Sequence, residues 1–166
     1  MALPKFLKRI LWVWGFFGVL LVALTAAGLL LPQPTVAPAL GEGEIAIVLR
    51  DPNGVTVGLA VELADEPQEW RLGLMNRPVV EGGMLFVFPG ESRQSFWMKD
   101  TLVPLDIAYF RADGSWVSSA VMQPCLEDPC ASYPSSGTAQ YALELPVGGI
   151  GSSIGSGWIL EMPPGS

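Results

Sequence analysis

The 166-residue sequence predicts a mainly β domain of the α+β class: a small barrel-like or strongly curved, mostly antiparallel sheet with one or two short helices, preceded by a single N-terminal transmembrane helix. Three observations carry this. Val55, Val57, Leu59, Val61 and Leu63 alternate at period two, the repeat of a half-buried strand. Short apolar runs recur between Gly, Pro and Asn-Gly turn signals, which suits a sheet of many short strands. An uncharged apolar run of 22 residues, Ile10 to Leu31, precedes them all, and crossing a membrane takes about 20.

Lys5, Lys8 and Arg9 lie ahead of that run, so residues 1–9 are expected in the cytoplasm and the rest across the membrane. Trp12 and Trp14 sit near that end, at interface depth. A secretory signal core uses roughly 7–15 apolar residues, fewer than here. Ala37-Pro38-Ala39 nevertheless has the small-x-small form of a cleavage site. Two outcomes stay open: a retained single-pass anchor in the cytoplasmic membrane, with the C-terminal domain periplasmic or extracellular, or a secreted domain. Residues 32–41 form a Pro/Ala-rich extended tether. Residues 42–162 form the extracytoplasmic domain, and 163–166 a tail.

Beyond the span stand six basic residues against all sixteen acidic ones, a balance of −10. That opposes phosphate backbones, so no nucleic-acid partner is expected. Histidine is absent, which removes the commonest general base and the usual zinc ligand. No cofactor or metal is implied.

After the tether, Ile45, Ile47 and Leu49 alternate, and Asp51-Pro52-Asn53-Gly54 turns the chain into the second strand as a hairpin. In "DEPQEWRLGLM", Asp65 and Gln68 suggest a capping box, Pro67 fits a first turn, and Gly73 ends a short helix. "MLFVF", Met84 to Phe88, reads as a strand buried on both faces. Further strands are expected over 94–99, 105–110, 116–122 and 140–145, with 158–162 the strand-like part of a glycine-rich end.

"FWMKDTLVPLDIAYF" concentrates the chemistry. Along a strand Phe96 and Met98 share one face and Trp97 and Lys99 the other. An indole beside an ammonium suits an open pocket wall. Asp100 and Thr101 come next at the strand end, Pro104 interrupts, and Asp106 heads the next strand. Lys99 is expected to meet Asp100 or Asp106, either as a structural ion pair or as a ligand-binding or catalytic group. Ser95 and Lys99 do not make a Ser–Lys nucleophile pair, because four strand residues span roughly 13 Å. Glu69, Arg71 and Arg77 form a second charged cluster, in which Arg77 either clamps loop carbonyls or recognises an anion.

Cys125 and Cys130 lie in "PCLEDPCASYPS". An oxidising compartment makes a structural disulfide the default, with redox or metal roles as alternatives. Two thiolates alone do not complete a zinc site. No P-loop, nucleophile elbow or calcium loop is present.

The blocks "EPQEWRLGLMNRP", "GMLFVFP", "SFWMKDTLVPLDIAYFRADG", "PCLEDPCASYPS" and "YALELPVG" together resemble the uncharacterised domain-of-unknown-function 192 family of bacteria and archaea, over roughly Val55 to Ile159. The resemblance implies a compact, mainly β fold and frequent export or anchoring, but no activity. Its motif falls on Glu69, Arg71, Gly73, Leu74, Met75 and Arg77. It falls again on Phe96 to Lys99, Thr101, Pro104 to Asp106, Cys125, Pro129, Cys130 and Tyr133. Where the family more typically has asparagine, this chain has Asp100, and it lacks the family's usual Gly-Asp before the last strand.

The sequence thus leads to a membrane-tethered binding or accessory module for a small polar or cell-envelope ligand, or for an envelope protein. Trp97, Lys99, Asp100, Thr101, Asp106, Arg77 and Glu69 are the candidate site. Two further readings stand beside it: a carboxylate-dependent hydrolase of envelope material using Asp106 or Glu69, and a purely structural or protein-interaction module.

Overall fold

The computed structural model describes residues 40–163. The expected membrane helix over 10–31, the residues before it and most of the tether lie outside the described residues. Among the described residues, no helix is long and apolar enough to cross a membrane.

Strands β1 (Glu44–Arg50) and β2 (Thr56–Ala64) form the expected hairpin, in register from Arg50 opposite Thr56 to Glu44 opposite Glu62. Asp51 builds the turn: its Oδ1 accepts the backbone N–H of Asn53 and of Val55, each at 2.8 Å. Helix α1 (Pro67–Leu72) then carries the chain to β3 (Met84–Ser92), which lies parallel to β2. The other pairings are antiparallel. Strands β5 (Leu105–Phe110), β6 (Trp116–Met122), β8 (Ala139–Pro146) and β9 (Ile159–Glu161) complete a seven-stranded sheet of order β6-β5-β8-β3-β2-β1-β9.

The sheet is mixed and open, not a closed barrel. Its edges touch at one bridge, Ser115 opposite Ile159, beside which the Leu160 N–H donates to Gly114 O at 2.9 Å. The strand expected over 94–99 is shorter, β4 (Ser95–Trp97), and stands outside the main sheet. It pairs with β7 (Ser132–Pro134), where the prolines and cysteines suggested a loop. A 3-10 turn, Ile150–Ser153, occupies the glycine-rich end.

All six residues of β5 are buried, and their alternation divides the core. Leu105, Ile107 and Tyr109 join Met84, Phe86 and Ala142 on the outer face, under α1 and the β4–β7 pair. Ala108 and Phe110 join Leu49, Val61, Leu143 and Leu160 on the face that the sheet curls around. Burying one such Leu or Phe side chain stabilises the fold by roughly 1.5–3 kcal/mol, so both faces are firmly specified.

Candidate functional site

Glu69 is where α1 begins to shape the outer face. Its Oε2 accepts the backbone N–H groups of Asp65 and Glu66, each at 3.0 Å. The cap thus sits one residue later than Asp65 and Gln68 suggested, with Glu69 as the residue reaching back. That carboxylate is committed to the helix start. Trp70, on the inner side of α1, donates its indole N–H to Ala64 O at 3.0 Å and packs its ring on Phe88.

Gly73 closes the helix at φ 47°, its N–H donating to Glu69 O at 2.8 Å. A side chain there would be strained and would stand 3.3 Å from Phe86 Cζ. The chain therefore drops close over the sheet between Leu72 and Met75, and makes one wall of a cleft. Phe96 and Trp97 of β4, with Thr101 beyond it, make the other wall. Trp97 stands at the rim, 57 % exposed.

The floor is Glu144 of β8, 4 % exposed, held in register between Met84 of β3 and Ile107 of β5. Burial alone pushes its carboxyl up to about 8, so it is mostly protonated at neutral pH. No hydrogen bond or ion pair reaches it among the described residues. The cleft is shallow and open to solvent, and its volume of about 30 Å³ leaves room for only one or two water-sized groups.

Of the residues proposed from sequence, Trp97 and Thr101 line this cleft. Asp100 supports it through its backbone. It lies in the left-handed region at φ 52°, its N–H donates to Cys125 O at 2.9 Å, and its carbonyl accepts the Asn76 N–H at 2.8 Å. Lys99 does not pair with Asp100 or Asp106. Its ammonium donates to Asp128 Oδ2 at 2.8 Å, and that bond raises the lysine pKa. Arg77 clamps no loop carbonyl among the described residues: its guanidinium forks onto the Glu62 carboxylate, with Nη2 2.9 Å from Oε2.

Asp106 lies elsewhere. Its neighbours Leu105 and Ile107 face the cleft side, so alternation turns its side chain to the inner face, against Gly151 of the 3-10 turn. It is 4 % exposed, and its Oδ2 is buried without a hydrogen-bond partner among the described residues. Burial raises its pKa. Lys99, Trp97 and Asp106 therefore do not converge on one rim. Cys125 and Cys130 are joined as a disulfide with Cα atoms 5.7 Å apart, and the loop they close presents Asp128 to Lys99.

Comparison with known proteins agrees with this geometry as a fold. The DUF192 family model, described as Uncharacterized ACR, matches residues 48–161. A solved structure from Sinorhizobium meliloti 1021, of a protein to which a transcription-regulator role has been ascribed, is similar with a TM-score of 0.64 and 30 % identity. The similarity covers 76 % of this chain and 96 % of that one. A protein of unknown function from Novosphingobium aromaticivorans DSM 12444 has the same TM-score at 24 % identity, over 81 % of this chain and 99 % of its own. Among curated proteins none matches significantly.

Proposed function

This chain belongs to the DUF192 family of uncharacterised proteins, and from that premise we propose that it is a membrane-tethered, extracytoplasmic binding or accessory module that takes a small polar or cell-envelope ligand in the Glu144 cleft. The observation that carries the reading is Glu144 itself: a buried carboxyl without a protein partner, at the base of an aromatic-walled opening. Its carboxyl oxygens keep contact with solvent in the cleft, where a ligand's polar group can take the place of water. Glu69, Asp100, Lys99 and Arg77 hold the walls through their own hydrogen bonds and ion pairs. The tether rests on the apolar run from Ile10 to Leu31 and the basic residues before it.

The test is a titration of the full chain, in detergent micelles, with envelope-derived sugars, amino acids and amines, read by Trp97 fluorescence against a Trp97→Phe reference. A ligand that shifts the Trp97 signal and loses affinity in Glu144→Gln supports the reading. A panel that leaves Trp97 unmoved removes it. Fusions of alkaline phosphatase to the C-terminus test the sidedness, since the enzyme folds only after export.

A hydrolase stands as the second reading, because a carboxyl held protonated near neutral pH is suited to general acid catalysis. The acid would be Glu144. Glu69 is taken by the helix cap, and Asp106 faces the other side of the sheet. No second carboxylate lines this cleft among the described residues, whereas a two-carboxylate glycosidase needs one. Turnover of envelope substrates that disappears in Glu144→Gln would favour this second reading over binding alone.

A further inference from the structure

Building on the reading of the Glu144 cleft as a binding site, we infer that the group it takes is a protonated primary amine at the end of a slender ligand. Four features of the cleft point there. The first is the charge balance. Lys99 and Arg77 are already paired, with Asp128 and Glu62, and Arg71, between Trp70 and Leu72 on α1, is exposed and does not line the cleft. An anionic ligand would meet no free positive charge at the floor. A cationic one would meet a carboxyl that is itself unpaired.

The second is the wall chemistry. Trp70, Phe96 and Trp97 line the opening, and aromatic faces attract cations within about 6 Å. The third is size. The whole cleft holds only one or two water-sized groups, which admits an ammonium head but neither a trimethylammonium nor a guanidinium group. The fourth is the second acceptor. Thr101 lines the cleft, and its Oγ1 donates to Lys99 O at 3.4 Å, leaving its lone pairs for an ammonium N–H. The −10 balance beyond the apolar run adds a long-range field of the same preference.

The proton balance is simple. Glu144 gives up its proton to solvent, and the carboxylate so formed pairs with the ammonium; no covalent bond changes. Tyr109 is the titratable group that faces Glu144 from β5, and its hydroxyl is engaged with Tyr133 O. Strand β3 presents Met84 and Phe86, β4 presents Phe96 and Trp97, and α1 presents Trp70, with Glu69 turned to the cap. Glu144 is therefore the group that sets the pH profile.

The experiment is calorimetry on the full chain in micelles, with ethylammonium, tetramethylammonium, guanidinium, acetate and ethanol as probes. Ethylammonium is expected to bind with an affinity that rises about tenfold per pH unit below about 8 and then levels. At pH 7 it should release about one proton per ligand, seen by comparing buffers of different ionisation heat. Tetramethylammonium and guanidinium should bind at least about tenfold more weakly. Glu144→Gln should abolish the proton release. Thr101→Val should weaken binding without abolishing that release, and serves if the first variant does not fold. Acetate or ethanol binding more tightly than ethylammonium, with the Trp97 signal moving, would overturn the amine assignment and leave the cleft as a site. If none of these probes moves Trp97 but a sugar or amino acid of the wider panel does, the amine assignment fails and the cleft stands as a site; if neither set moves it, both fail. Ethylammonium binding without pH dependence would also overturn the inference.

Discussion

Gly151 and Asp106 are in van der Waals contact across the inner face of the sheet. A methyl group placed at residue 151 would stand 2.7 Å from Asp106 Cβ and 2.9 Å from its Oδ2. The glycine is the lid over a buried, unpartnered carboxyl oxygen.

Gly151→Ala is therefore expected to destabilise the domain by about 1–3 kcal/mol through overpacking. Gly137→Ala meets Val117 only at an ordinary 3.4 Å and should change stability far less. Urea denaturation of the two variants measures the difference. A midpoint for Gly151→Ala equal to wild type would show that the turn yields freely.

Glu144 makes stability fall as pH rises. The unfolded carboxyl loses its proton near 4.5 and the folded one near 8, so across that window the folded state binds more protons. The loss is about 1.4 kcal/mol per pH unit while it lasts. Asp106, also raised by burial, adds a slope of the same sign, starting from 3.8. Thermal unfolding followed from pH 5 to pH 8 should show the decline, and Glu144→Gln should flatten its upper part.

Asp100→Asn should be tolerated or mildly stabilising, while Asp100→Val should cost roughly 1–2 kcal/mol. At φ 52° asparagine and aspartate are the non-glycine residues that fit best. The same strain argument makes Asp100→Gly neutral or better. Equilibrium unfolding of the three variants ranks them, and the ranking fails if valine matches asparagine.

Cys125→Ser with Cys130→Ser should lower stability by about 2 kcal/mol, the chain-entropy value for so short a loop. Because the Lys99–Asp128 pair and the Asp100 N–H bond both reach that loop, the change should also alter Trp97 emission. Lys99→Met alone breaks an ion pair whose aspartate is well exposed, and should cost no more than about 1 kcal/mol.

Much of the fold could be read from residues that obey one rule at a time. Val55 to Leu63 alternates cleanly, and Asn53-Gly54 announces its turn, so the β1–β2 hairpin was legible. Met84 to Phe86 shows no alternation because β3 is covered on both faces, as its unbroken apolar run implied. The small β4–β7 pair was not legible. Prolines and a disulfide mark β7 as loop, and its pairing depends on a partner 37 residues away.

The site divides in the same way. Trp97 and Thr101 line the cleft because the short β4 strand ends against its wall. Lys99 and Asp106 are close along the chain but face opposite sides of the sheet, which the turn between β4 and β5 hides. Glu144 carries a signal of its own in the sequence: one acid among Ala142, Leu143 and Leu145, inside a strand otherwise apolar. An acid in such a place is either paired or held protonated, and here it is the second.

The antiparallel β1–β9 pair has a mechanical consequence. Ile159 lies opposite Arg50 and Glu161 opposite Val48, so the chain enters β1 and leaves β9 at the same end of the pair. A pull between those two points would peel the rungs apart singly, like a zip, instead of loading them together in shear. An optical-tweezers trace should then show β9 detaching at low force, before the rest of the sheet yields.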